Sequence, residues 1–200
     1  ALKTDYIDIM QVHSVPVNFL SNDLLTILQG FKTAGHICFI GATTYGNDAA
    51  LDALASNPID CLQVAYNLVD REAETYVFPR AQQHDIGIIA RSVLLRGALA
   101  RHHYKSAPDT LRELRLLIQD LDNIAYLETM SLQELAYHFV LSYPAIATAL
   151  CGTSRQSELL DTTDYATHYH ETPLSPDVLT TIRFHTLNDR SQLDLKGWSV

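Results

Sequence analysis

Short apolar runs alternate with stretches of helical period along almost the whole of this 200-residue chain, and that alternation leaves few folds open. Residues 6–12 (YIDIMQV) read as a strand that gives way to a loop at His13, Ser14 and Pro16. Over 22–32, Leu24, Leu25, Ile27, Leu28 and Phe31 recur at the spacing of a helix with one buried stripe. Ser21 or Asn22 can cap its first turn, and Gly35 stops it. The unit then repeats, with a strand at 37–42 and a helix at 48–55 ended by Asn57 and Pro58, a strand at 61–66 and a helix at 72–84, and a strand at 87–90. A longer connection over 101–110 leads into helices at 111–126 and 132–143, a strand at 146–150, and helices at 157–166 and 175–187. No Pro-rich linker, low-complexity tract or charge run divides the chain, so residues 1–200 read as a single domain.

Five short apolar strands alternating with helices imply a parallel sheet covered by helices, hence an α/β protein. A doubly wound sheet that binds a dinucleotide usually carries a GxGxxG turn after its first strand, and none occurs here. The remaining architecture is a (β/α)8 TIM-type barrel. Because a complete barrel takes ~250 residues, the chain is expected to be N-terminally truncated, with about three strands preceding Ala1.

Charge and composition exclude several classes of partner. The formal net charge is -9 and the pI about 5.3, the opposite of the basic face needed to displace counterions from nucleic acid. No apolar run approaches the ~20 residues of a membrane span, and the N-terminus lacks a signal-peptide pattern, so a cytoplasmic protein without membrane or nucleic-acid partners is expected. Cys38, Cys61 and Cys151 lie in apolar segments without CxxC spacing and read as buried, reduced thiols. The pairs His102 with His103 and His168 with His170 lack metal-ligand offsets; they read as surface-loop histidines, and no metal site is expected. Tyr126, Tyr137 and Tyr143 read as core aromatics with a hydrogen-bonding tip.

In barrels of this type the active site is built at the C-terminal ends of the strands. The polar residues falling there are His13, then Thr43 and Thr44, Gln63 and Asn67, Arg91 and Ser92, and residues 152–155. They are hydrogen-bonding and cationic groups, with no paired carboxylates and no nucleophile beside a base. That set suits a bound organic cofactor better than hydrolytic chemistry, which disfavours a barrel lyase or hydrolase.

These residues carry a family resemblance. TDYIDIMQVH (residues 4–13) resembles the strand of aldo-keto reductases that ends in their catalytic histidine, and GATT (41–44) lies where that family has a Gly-Val-Ser-Asn-like turn. LQVAYNLVDRE (62–72) resembles its QxxYN segment, GIIARSVLLRG (87–97) its strand and phosphate-side loop, and GTSRQSELL (152–160) its last cofactor-binding segment. The five motifs stand in family order. The resemblance implies a catalytic set of Asp, Tyr, Lys and His, in which Tyr protonates the carbonyl oxygen while the nicotinamide delivers hydride. Only the His lies in this chain, as His13, and the other three are expected upstream of Ala1 or to be absent. The His13 N–H would polarise the substrate carbonyl, a donor role whose loss typically costs roughly 2.7–4 kcal/mol. Trp198 is similar to a C-terminal tail aromatic of the family.

The same resemblance implies the cofactor contacts. Thr43, Thr44 and Gln63 correspond to groups that bind the nicotinamide carboxamide, although Thr44 offers one hydroxyl where relatives have an amide. Arg91 stands where many relatives stack an aromatic ring on the nicotinamide, so a guanidinium plane takes that place or the stacking is lost. Ser92, Leu94 and Arg96 belong to the loop over the pyrophosphate, with Arg96 reading equally well as a solvated side chain. Gly152, Thr153 and Arg155 match residues near the adenosine 2'-phosphate, where Arg155 favours NADPH; Glu158 favours NADH, because a carboxylate repels a phosphate but accepts from a free ribose hydroxyl. The expectation is an NADPH-dependent oxidoreductase, with NADH possible, that reduces small aldehydes and ketones to alcohols. This chain, as a C-terminal fragment, is expected to be inactive alone. The alternative is a non-catalytic nucleotide-binding relative that acts as a binding or regulatory subunit.

Overall fold

The computed structural model describes residues 3–55, 59–100 and 103–193; Ala1, Asn57, Pro58, His102 and Trp198 lie outside them. It is an α/β fold whose five parallel strands run in the order β1 (Ile7–Val15), β2 (Ile37–Thr44), β3 (Cys61–Ala65), β4 (Gly87–Arg91) and β5 (Ile146–Ala149). Helices α1 (Asn22–Thr33), α2 (Asn47–Ala55) and α3 (Ala73–Gln83) connect the first four strands. Helices α4 (Arg112–Leu127) and α5 (Leu132–Leu141) precede β5, and α6 (Gln156–Glu171) and α7 (Pro176–Phe184) follow it. Among the described residues, no helix is long and apolar enough to cross a membrane.

Two compact units can be distinguished. The first comprises Ala1–Ala65, Glu72–Ala90 and Ala145–Thr148 and holds the sheet with α1, α2 and α3. Its strands read as apolar runs because their middles are enclosed: Ile40, Ala42, Leu62 and Ile88 are all fully buried. Helix α1 starts where Ser21 Oγ accepts the Leu24 N–H, and it buries Leu25 and Leu28. Asp60, just before β3, accepts the Lys32 ammonium at 2.6 Å and the Ile40 N–H at 2.7 Å, which ties α1 to the sheet. Gly41 pairs with Gln11 on one side and Cys61 on the other. A Cβ there would meet Cys61 Sγ at 2.6 Å, so only glycine lets the three strands approach this closely.

The second unit comprises Tyr66–Arg71, Arg91–Pro144 and Ala149–Val200. Its core is the stripe Leu114, Leu117, Ile118, Leu121 and Ala125 of α4 together with Leu135, Ala136, Phe139 and Val140 of α5. Asn67, fully buried, accepts the Val69 and Asp70 N–H groups and donates to the Ser92 carbonyl, so a polar side chain shapes the turn after β3. Arg71 donates to the Ile182 and His185 carbonyls and satisfies the end of α7.

Several expectations need correction. His13, Thr43 and Thr44 lie within β1 and β2 rather than after them. Helix α6 runs to Glu171, well past 166, so His168 and His170 are helical and not in a loop. No glycine or proline interrupts 156–171, and the Thr162, Thr163 and Thr167 hydroxyls donate to carbonyls four residues back, which keeps this Thr-rich stretch helical. Tyr126 is 82% exposed because it follows Ala125 and so faces away from the buried stripe of α4, whereas Tyr137 is buried and Tyr143 half-buried. Cys38 is exposed, at the N-terminal end of β2 ahead of its enclosed stretch. Cys61 is buried, and burial with the Asp60 carboxylate beside it pushes its thiol up to about 11. A thiol-alkylating reagent on the native protein is therefore expected to label Cys38 readily and Cys61 only after denaturation, as peptide mass spectrometry can read. Equal labelling of the two would refute the assignment.

Candidate active site

In the sheet unit the residues around His13 form one hydrogen-bonded group. Val12 pairs with Ala42 and Val15 with Thr44, so β1 contains one residue more than β2 over this stretch: a bulge. The bulge takes in His13 and Ser14, and Ser14 has a φ of 54°, a left-handed conformation that costs energy for a non-glycine residue. The Ser14 N–H donates to Thr43 Oγ1 at 2.7 Å, and the same hydroxyl lies 3.3 Å from His13 Nδ1. The Thr43 hydroxyl thus ties the bulge backbone to the His13 ring, and where it donates to Nδ1 the ring hydrogen stands on Nε2. The bulge leaves the His13 side chain exposed. Gln63 donates to Gln11 Oε1 at 3.2 Å, which answers its need for a partner inside the sheet. Thr44 is only 1% exposed and presents no hydroxyl at the surface.

The second unit holds a cavity of about 520 Å³, a size that suits a drug-sized organic ligand. Its wall includes Ser92, Leu94 and Arg96 from the segment after β4, and Gly152, Thr153, Arg155 and Glu158 from the segment after β5. Seven of the eleven residues expected to touch a cofactor thus line one space. Arg91 is not among the wall residues; its guanidinium donates to Ser92 Oγ at 3.2 Å instead. The Ser92 backbone, held by Asn67, is left-handed at φ 59°, and Leu95, Arg96 and Gly97 follow at 45°, 53° and 94°. Such a left-handed run at a cavity rim is the kind of strained backbone that surrounding structure must hold in place.

Elsewhere in the wall, the start of α6 is a polar network. Thr153 Oγ1 donates to Glu158 Oε2 and accepts the Arg155 N–H, while Arg155 Nη1 lies 3.1 Å from Glu158 Oε1. Glu158 sits in the first turn of α6, where the helix dipole also stabilises a carboxylate. The charged wall residues are two arginines, Arg96 and Arg155, and two carboxylates, Glu158 and Asp161. An anionic ligand must therefore compete with Glu158 for Arg155.

The residue-by-residue reading missed Gln133 and Tyr137 of α5, Cys151, and Asp161, Thr162 and Tyr165 of α6. For the α6 residues helical spacing held a signal, since Asp161, Thr162 and Tyr165 stand three, four and seven positions after Glu158 and so share a face with it. Burial raises the Tyr137 phenol well above its ordinary value, so it stays neutral and acts as a hydrogen-bonding group.

The family model for the aldo/keto reductase family matches residues 1–185, across all the strands and both segments that line the cavity. This chain belongs to the aldo/keto reductase family. Among curated relatives, an uncharacterized oxidoreductase of Bacillus subtilis, YqkF, is 22% identical over 196 residues, covering 94% of this chain and 63% of its own length. The NADH-specific methylglyoxal reductase of Escherichia coli is 32% identical over 101 residues, covering 49% of this chain and 31% of its own. Among solved structures, the holo form of the aldo-keto reductase AKR11C1 from Bacillus halodurans superimposes with a TM-score of 0.78 at 24% identity, covering 92% of this chain and 60% of that one. The (β/α)-barrel type of fold expected for an aldo-keto reductase is thus the fold found. The chain spans less than two thirds of the length of these relatives.

Proposed function

We propose that this protein is an oxidoreductase that uses NADPH, and NADH as well, to reduce small aldehydes and ketones to alcohols. The observation that carries the reading is the convergence on one cavity of Ser92, Leu94, Arg96, Gly152, Thr153, Arg155 and Glu158. Cations, hydroxyls and a helix start facing a cavity of about 520 Å³ fit the phosphates and ribose of a dinucleotide. In this reading Arg96 and Ser92 hold the pyrophosphate and Arg155 the adenosine-side phosphate. Gln63 and Thr43 are assigned to the carboxamide end, with Thr43 also fixing the tautomer of His13. When bound, the nicotinamide supplies hydride to the carbonyl carbon.

The part of this chain in the chemistry is that of His13. Its Nε2–H is the donor for the substrate oxygen, polarising the carbonyl and stabilising charge that develops there. The bulge and the Thr43 hydroxyl hold that donor in place before substrate arrives, which is what makes such a group effective. Support for cofactor use comes from its oxidoreductase relatives, and support for NADH from the NADH-specific methylglyoxal reductase of E. coli.

The test is fluorescence titration of the purified full-length protein, with any segment that precedes this chain, using NADPH and NADH, followed by cofactor consumption with a panel of aldehydes and ketones. Binding with carbonyl-dependent oxidation is expected. Binding without turnover across the panel would leave the non-catalytic binding relative, and no binding of either cofactor would end the proposal.

A further inference from the structure

Outside the cavity, one cluster of ligand-bearing side chains is left without a role in the reaction. Glu134 and His138 stand one turn apart on α5, and His168 reaches them from α6. Each offers one ligand atom, and the three atoms lie within 4.8 Å of one another. His168 Nδ1 is 2.6 Å from Glu134 Oε1, and His138 Nε2 is 4.0 Å from the same oxygen. His138 is fully buried; Nε2 faces the Tyr165 carbonyl at 3.1 Å, and Nδ1 has no hydrogen-bond partner among the described residues.

The geometry points to a divalent metal site at Glu134, His138 and His168, with zinc the ion whose ligand preferences it matches. Two imidazoles and a carboxylate are nitrogen and oxygen donors of the kind zinc takes in three-ligand sites, with water as the fourth ligand. Bonds of about 2.0–2.2 Å in a tetrahedron separate ligand atoms by about 3.4 Å. The present spacings of 2.6 and 4.0 Å, the latter from His138 Nε2, straddle that value. On binding, the hydrogen shared by His168 and Glu134 leaves to solvent, the His138 hydrogen moves from Nε2 to the unpartnered Nδ1, and Nε2 turns from the Tyr165 carbonyl to the ion. The ion would pin α5 to α6, the two helices that carry Gln133, Tyr137, Asp161 and Tyr165 of the cavity wall.

The experiment is isothermal titration of the chelator-stripped, dialysed protein with zinc chloride, repeated with cobalt(II) chloride for its visible absorption. One ion per chain, a cobalt spectrum of tetrahedral type and a zinc-dependent rise in melting temperature are expected. His168→Ala and Glu134→Gln should each weaken uptake by at least ~10-fold and abolish the rise, because loss of a direct ligand costs no less than loss of an outer-sphere partner. His168 is half exposed, so its replacement should leave the fold intact, which circular dichroism verifies. No uptake by the parent protein, or uptake unchanged in both variants, would overturn the site and leave a plain His–Glu hydrogen bond.

Discussion

His13→Ala is expected to lower kcat/KM for carbonyl reduction by roughly 100- to 1000-fold, the loss typical of deleting one pre-positioned donor to a developing oxyanion. Dissociation constants for NADPH and NADH should move less than about twofold, since His13 is assigned to the substrate oxygen and not to the dinucleotide. The expectation rests on geometry within β1 and β2: the bulge at His13 and Ser14, the Ser14 N–H on Thr43 Oγ1, and that hydroxyl 3.3 Å from Nδ1. Thr43→Val should act in the same direction but less, about 10-fold, by freeing the ring to adopt the wrong tautomer and leaving the Ser14 N–H without its acceptor. Steady-state kinetics beside fluorescence titration separates the two effects. If His13→Ala keeps full turnover, the donor role falls; if it loses cofactor binding as well, His13 is a structural group of the bulge.

The second large effect concerns Arg155 and Glu158. Arg155→Ala should weaken NADPH binding by roughly 10- to 150-fold, the equivalent of one charge-assisted hydrogen bond of ~1.5–3 kcal/mol, and NADH binding by much less. Glu158→Gln should act oppositely. In the structure the Glu158 carboxylate holds the Arg155 guanidinium at 3.1 Å and takes the Thr153 hydroxyl hydrogen, so it both occupies the cation and repels a phosphate. Neutralising it should shift the ratio of NADH to NADPH dissociation constants toward NADPH by about 10-fold, or ~1.4 kcal/mol. Arg155 and Glu158 side chains are partly exposed, so both effects should shrink as salt is raised. Unchanged ratios in both variants would remove this pair from cofactor selection.

Periodicity was enough for the element order, because apolar spacing is a local property and every strand and helix expected from it was found, with ends shifted by a few residues. The ends went wrong where non-local pairing extends an element: β2 carries Thr43 because Thr43 pairs with Gln63 of β3, which no window along one strand can show. α6 outran its expected end because nothing in it breaks a helix, and hydroxyls that normally compete with helical geometry instead bond back to the preceding turn. The motif matches found the segments around the cavity, while Arg91, expected at the nicotinamide-stacking position, lies outside the wall and donates to Ser92 Oγ. Tyr165, Asp161 and Gln133 went unnoticed because wall residues contributed by a helix face match no contiguous motif.

The histidines show the boundary most sharply. Judged by neighbours in the chain, His168 was paired with His170 and set aside as a loop residue. Across space it meets Glu134 and His138, some thirty residues earlier, on a different helix. The sequence alone determined the family, the parallel α/β order and the two segments that line the cavity, since these depend on residue type and on spacing along the chain. The tertiary structure decided the bulge that presents His13, the competition of Glu158 for Arg155 and the meeting of α5 with α6, because each depends on a side chain's rotamer, its burial and a partner distant in the chain.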